Sequence, residues 1–157
     1  MSSDLGPTLA VLGRAAQEYQ GAVDDFDRET ARLLGVNETD QRCLELLLGN
    51  ENATPRWLAG ALGLTTGSVT AMLDRLARLG HLTRSPHPTD RRSSIVRITP
   101  ETSRRVYEII EPHINDTNRR LGARYTAQEL ELITGFLKLS TEIQRTHVER
   151  LRAGRLS

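Results

Sequence analysis

A chain of 157 residues with 38% hydrophobic content is long enough to bury a real core without disulfides or metals, as one domain. Its formal charge of +1 does not by itself point to nucleic acid, and its single cysteine excludes an intrachain disulfide. No basic segment leads into an apolar run and no apolar stretch approaches ~18 residues, so neither a signal peptide nor a membrane span is expected and the chain reads as cytoplasmic.

Residues 5–33 carry the most regular pattern. Leu5, Leu9, Leu12, Ala16, Tyr19, Val23, Phe26, Thr30 and Leu33 recur at alternating spacings of four and three. That is a heptad seam, and such seams pack against another helix. A helix this long exceeds what a small monomeric core needs, so part of it reads as an assembly surface. Gly35 breaks it. Asn37 to Asp40 then caps a shorter helix with Cys43, Leu44, Leu46, Leu47 and Leu48 as its apolar residues and Gly49 at its end. A lone cysteine on such a helix is more often a small core residue than a redox switch.

The organising stretch spans residues 54–99. Thr54 is an N-cap residue and Pro55 suits the first helical position, where a missing N–H leaves nothing unpaired. Leu58, Ala61 and Leu62 form one apolar face, and Gly63 ends the helix. Thr65 or Thr66 caps a second helix whose Val69, Met72, Leu73 and Leu76 lie within a narrow arc, and Gly80 stops it. This is helix-turn-helix spacing. The opposite face carries Gly67, Thr70, Ala71, Asp74, Arg75 and Arg78, with Ser68 at its edge. Small residues in the first turns permit close approach to base edges, and long cations further along reach phosphates.

After Gly80, residues 82–85 and 94–98 read as two short strands joined by PHPTDRRS, a turn-rich loop holding Asp90, Arg91 and Arg92. The hairpin is a wing. Residues 54–98 hold seven arginines against Asp74 and Asp90, a local charge of +5, which leaves −4 for the remainder. A basic module on an acidic body is the electrostatic footprint of a phosphate-binding surface. Charge runs outside such a pattern are usually only solvated surface.

The last third reads as helical. Thr99 caps and Pro100 opens a helix with Val106, Ile109, Ile110, Ile114 and Leu121 as its buried stripe, kinked at Pro112. Thr126 and Glu129 form a capping box for a last helix burying Leu130, Ile133, Leu137 and residues 139–143. Its polar tail, from Arg145 onward, is expected to end in frayed residues.

Enzyme chemistry does not assemble. His81, His87, His113 and His147 lack ligand spacing, and no cysteine cluster, Gly-rich phosphate loop or nucleophile elbow is present. No catalytic residue, metal or cofactor is expected.

With these residues in view, the chain resembles the MarR (multiple antibiotic resistance regulator) family of winged-helix repressors over nearly its whole length. The resemblance rests on the long first helix, the LGLTTGSVTAMLDRLARLGHL segment, the TDRRSSIVRIT wing and two C-terminal helices. Asp90 and Arg92 match the Asp-x-Arg wing tip, and Ile98-Thr99 matches the strand end. Where the family often has Asp-Pro before the tip this chain has His87-Pro88, and Thr102 stands where a glycine is common. The resemblance implies a mainly α fold, a single domain over 1–157. A winged helix-turn-helix lobe (37–99) would be flanked by N- and C-terminal dimerisation helices (5–34 and 100–150).

It further implies a homodimer reading double-stranded DNA at a near-palindromic operator, often released by a small phenolic or aromatic effector. Carried over by position, the 66–70 region reads the major groove, Arg75 holds phosphate and Arg92 probes the minor groove. The full set of expected DNA-binding residues is Thr66, Gly67, Ser68, Thr70, Ala71, Arg75, Arg78, Asp90, Arg91 and Arg92. Tyr19, Phe26 and His113 could approach the family's effector cleft, but packing explains them equally well and no effector residue is assigned. Two alternatives stand beside this reading: a winged-helix protein-assembly module without DNA binding, and a thiol redox-sensing regulator using Cys43.

Overall fold

The computed structural model describes residues 5–154. Six helices and one hairpin follow in order: α1 Leu5–Leu34, α2 Glu38–Leu48, α3 Pro55–Leu62, α4 Thr66–Arg78, β1 Leu82–Pro86, β2 Ser94–Ile98, α5 Pro100–Arg124 and α6 Ala127–Arg152. The expected fraying at the chain end falls on residues 155–157, outside the described residues, and the polar stretch up to Arg152 is helical.

Local chemistry explains the boundaries. Asn37, Thr54, Thr65 and Thr126 each accept a backbone N–H three residues on, from Asp40, Trp57, Ser68 and Glu129. Thr126 and Glu129 complete the capping box reciprocally. Gly63 and Gly80 adopt φ of 66° and 79°. In both places the N–H beyond the glycine reaches back to close the helix, from Leu64 to Ala59 O (3.0 Å) and from His81 to Leu76 O (2.9 Å). This Schellman closure needs a left-handed residue, so a β-carbon at either glycine would be strained.

The core lies in the unit up to Ile110. Leu34 of α1, Cys43, Leu44 and Leu47 of α2, Leu58 of α3, and Val69, Met72, Leu73 and Leu76 of α4 meet Leu82, Val96 and Val106 there. The antiparallel hairpin runs in register from Leu82 opposite Ile98 to Pro86 opposite Ser94. Strand β2 is also bridged on its other edge by Ala53, whose carbonyl accepts the Val96 N–H at 2.8 Å. That bridge anchors the wing to the segment entering α3. The C-terminal end of α1 is capped from afar, Arg105 Nη2 donating to the Leu33 carbonyl at 2.6 Å.

The second unit, from Glu111 onward, comprises the rest of α5 and all of α6. Helix α5 runs through Pro112 without interruption. Only Thr102 and Val106 of α5 are buried, and α6 buries nothing. The expected C-terminal core stripes are therefore corrected: Ile114, Leu121, Leu137, Leu139 and Ile143 are exposed, and Leu132 is 77% exposed. The seam of α1 behaves similarly. Thr30, Ala31 and Leu34 are buried, whereas Leu5, Leu9, Leu12, Tyr19 and Leu33 lie open. All three helices thus carry an apolar periodicity whose named side chains stay open among the described residues.

Candidate nucleic-acid interface

Helix α4 buries Val69, Met72, Leu73 and Leu76 and turns its other face outward. Thr66, Gly67, Ser68, Thr70, Ala71 and Arg78 are exposed along that face, so six of the expected residues share one surface. The side chains in the first turns are short and locally satisfied. Thr65 Oγ1 donates to Ser68 Oγ (2.9 Å), and Thr70 Oγ1 donates back to the Thr66 carbonyl (3.0 Å). A backbone with such small cover can approach a base edge closely, and the helix N-terminus adds its positive dipole end.

Two neighbouring residues tie this helix to its surroundings. Asp74 Oδ1 accepts from Arg84 Nη2 of β1 at 2.7 Å, joining α4 to the wing. Arg75 turns the other way. Its Nε and Nη2 donate to Asp40 Oδ2 and Oδ1 at 2.9 and 2.5 Å, a bidentate pair reaching α2. Asp40 is 1% exposed, while the Arg75 side chain remains 42% exposed. One edge of the guanidinium expected to hold phosphate is thus committed within the protein. Sequence reasoning missed Asp40, which read only as part of a helix cap.

The wing tip is an ordered turn. His87 Nδ1 accepts the backbone N–H of Asp90 (3.1 Å) and of Thr89 (3.3 Å). Asp90 Oδ1 accepts the Arg92 backbone N–H at 2.9 Å, so the carboxylate braces the tip through the main chain. Sequence spacing suggests a brace on the Arg92 guanidinium; the bond instead falls on its N–H, because a side chain two residues away closes an Asx turn most directly. Arg91 and Arg92 are exposed and make no ion pair among the described residues. Further down the hairpin, Arg97 Nη1 donates to Ser85 Oγ at 3.1 Å.

Beneath the wing, His81 Nδ1 lies 3.0 Å from Thr102 Oγ1, next to Thr99, whose Oγ1 donates to the Gly80 carbonyl. Burial, then the nearby Arg105 charge, push the His81 pKa down against a smaller opposing pull from Asp40. Thr102, where a glycine is common in the resembled family, therefore has a partner.

Cys43 is fully buried in the core. Burial first, and then the charge of Asp40, raise its thiol to about 12, the opposite of what an oxidant sensor requires.

A profile of the MarR family matches residues 34–93. The multiple antibiotic resistance protein MarR of Salmonella typhimurium is 32% identical over 137 residues, spanning 87% of this chain and 95% of that protein. The chain belongs to the MarR family. An uncharacterized HTH-type transcriptional regulator of Bacillus subtilis, YcgE, is likewise 32% identical over 127 residues, covering 81% of this chain and 82% of that one. The crystal structure of wild-type apo MarR from Escherichia coli superposes with a TM-score of 0.60 at 26% identity, over 82% of this chain and 96% of that one. This MarR-family protein is accordingly a DNA-binding transcriptional regulator rather than an enzyme. Among the described residues no helix is long and apolar enough to cross a membrane.

Proposed function

We propose that this MarR-family regulator is a cytoplasmic homodimeric repressor of a near-palindromic operator, working as one domain. Residues 37–99 bind DNA, and helices 5–34 and 100–150 pair with a second copy. One observation carries the reading: the small exposed residues opening α4 coincide with two unpaired arginines on a braced wing tip. In that arrangement Thr66, Gly67, Ser68, Thr70 and Ala71 face base edges in the major groove. Arg78 and Arg91 meet phosphate, and Arg92 enters the adjacent minor groove. Asp90 acts by holding the tip.

The open apolar residues of α1, α5 and α6 support the dimer. A two-fold partner would cover them and would set two recognition helices about one DNA turn, ~34 Å, apart. Release by a small aromatic effector rests on the family resemblance alone.

Selection of duplexes from a random pool, followed by titration at rising salt, tests this function. The expected outcome is a selected site with inverted half-sites, affinity falling steeply with salt as counterions are released, and a sedimenting species of twice the 17.5 kDa chain mass. A 17.5 kDa species alone, or an affinity flat in salt, would favour the protein-assembly reading.

A further inference from the structure

We infer that Asp40 and Arg75 form a positioning pair that fixes the orientation of α4, so that Arg75 governs sequence reading through Asp40 rather than by gripping phosphate. The inference rests on the proposed function, because it concerns how the same helix reads DNA. The buried side of α4 is wholly apolar: Val69, Met72, Leu73 and Leu76. Apolar burial is non-directional, and hydrophobic filling alone leaves the last part of a unique arrangement to more specific contacts. A fork of two parallel N–H···O bonds is directional and fixes both distance and plane.

The anchor is itself immobile. Asp40 is buried, sits in the first turn of α2, and gives its own N–H to Asn37 Oδ1 at 2.8 Å. Both of its carboxylate oxygens are taken by Arg75. The adjacent Asp74 is tied to Arg84 on the wing side, so residues 74 and 75 hold α4 from both flanks. Of the two ties the Asp40 one is dry at one end and less screened by solvent. Nine residues separate Arg75 from Thr66, about 13 Å along the helix axis, so a small roll at the fork displaces the base-facing end as a lever would.

The test is a double-mutant cycle on the full-length protein, with the duplex selected by the wild type and a random-sequence duplex of equal length as probes. The variants are Asp40→Asn, Arg75→Met and the pair together, each checked by thermal melting. Asp40 does not face the DNA, so Asp40→Asn affects binding only through α4. The expected result is that each single variant lowers the ratio of specific to random-duplex affinity by about tenfold or more, and that the pair is no worse than the poorer single. The salt dependence on the random duplex stays at the wild-type slope. If Arg75→Met proves too unstable, Arg75→Lys carries the test, since it keeps the charge and loses the fork.

A salt slope shallower by about one per protomer in Arg75→Met, with Asp40→Asn retaining full specificity, would make Arg75 a phosphate clamp and overturn the inference. A wild-type protein that binds no duplex would remove the proposed function itself, and this inference with it. Wild-type binding is read first, so the two failures are distinct.

Discussion

Replacing His87 with alanine isolates what the order of the wing tip contributes to DNA binding. In the native turn one imidazole nitrogen accepts the N–H groups of Thr89 and Asp90, and Asp90 then accepts the N–H of Arg92. The affected N–H groups are near solvent, so water can satisfy them after the substitution. The loss to folding is that of a modest hydrogen bond or two, about 1 kcal/mol, and the melting temperature should fall by only a few degrees. Binding is affected differently. A loosened tip must be ordered on the DNA, and fixing the backbone of one residue costs about 1–2 kcal/mol. Two freed residues per arm and two arms in the proposed dimer give a penalty of about 4 kcal/mol at the lower bound, or roughly a thousandfold in affinity if the tip is wholly released. His87→Asp supplies a carboxylate acceptor at the same place and should stay close to wild type. Fluorescence anisotropy on the selected operator, with melting curves run in parallel, measures both effects. Equal losses for His87→Ala and His87→Asp, or no loss for either, would show that the tip is not held for DNA by this acceptor.

Arg92→Ala should leave the melting temperature unchanged, because the side chain is exposed and unpaired, yet lower operator affinity by about 1–3 kcal/mol per arm. It should also flatten any preference for A·T-rich flanks, read by comparing operators with A·T-rich and G·C-rich flanks, and a retained preference would refute minor-groove reading. Burial and Arg105 depress the His81 pKa, so between that lowered value and the ordinary ~6.5 the unfolded chain binds more protons than the folded one. Stability should therefore fall as the pH drops through this window and level off below it, and His81→Gln should lose that part of the slope in melts at pH 7.5 and 6. Cys43 should resist a thiol reagent until the protein unfolds, and operator binding should survive peroxide treatment; rapid labelling of the native protein would revive the redox reading.

The winged lobe was legible because its boundaries are written in residues with few alternative uses. Thr54-Pro55, Gly63, Thr65 and Gly80 each perform the local task their chemistry suits, and the strands begin and end within a residue of where alternation and turn residues put them. The exposed face of α4 followed from the same periodicity that named its buried face. What escaped was long-range pairing. Asp40 and Arg75 are 35 residues apart, and no spacing rule connects an acidic residue in one helix cap to a cation in the third turn of another helix. The Ala53 bridge to β2 escaped for the same reason: a single backbone bond leaves no side-chain pattern.

The outer helices show a different limit. A heptad seam states that a helix has an apolar side and says nothing about whether its cover comes from the same chain. Ile114, Leu121, Leu137 and Ile143 read as a buried stripe by periodicity alone, and in the single chain those side chains are open. The two ends of α1 separate the cases. Near its C-terminus Thr30, Ala31 and Leu34 are buried, and α2 follows after a turn short enough to fold back. Toward its N-terminus the same periodicity continues through Leu12, Leu9 and Leu5, which are exposed. Periodicity that continues where burial stops is what the proposed second copy of this chain would cover. By that reasoning, weakening the seam at Leu9 or Leu12 should cost assembly and leave the winged core intact, whereas a cut at Leu44 or Leu73 should cost the fold of the lobe itself.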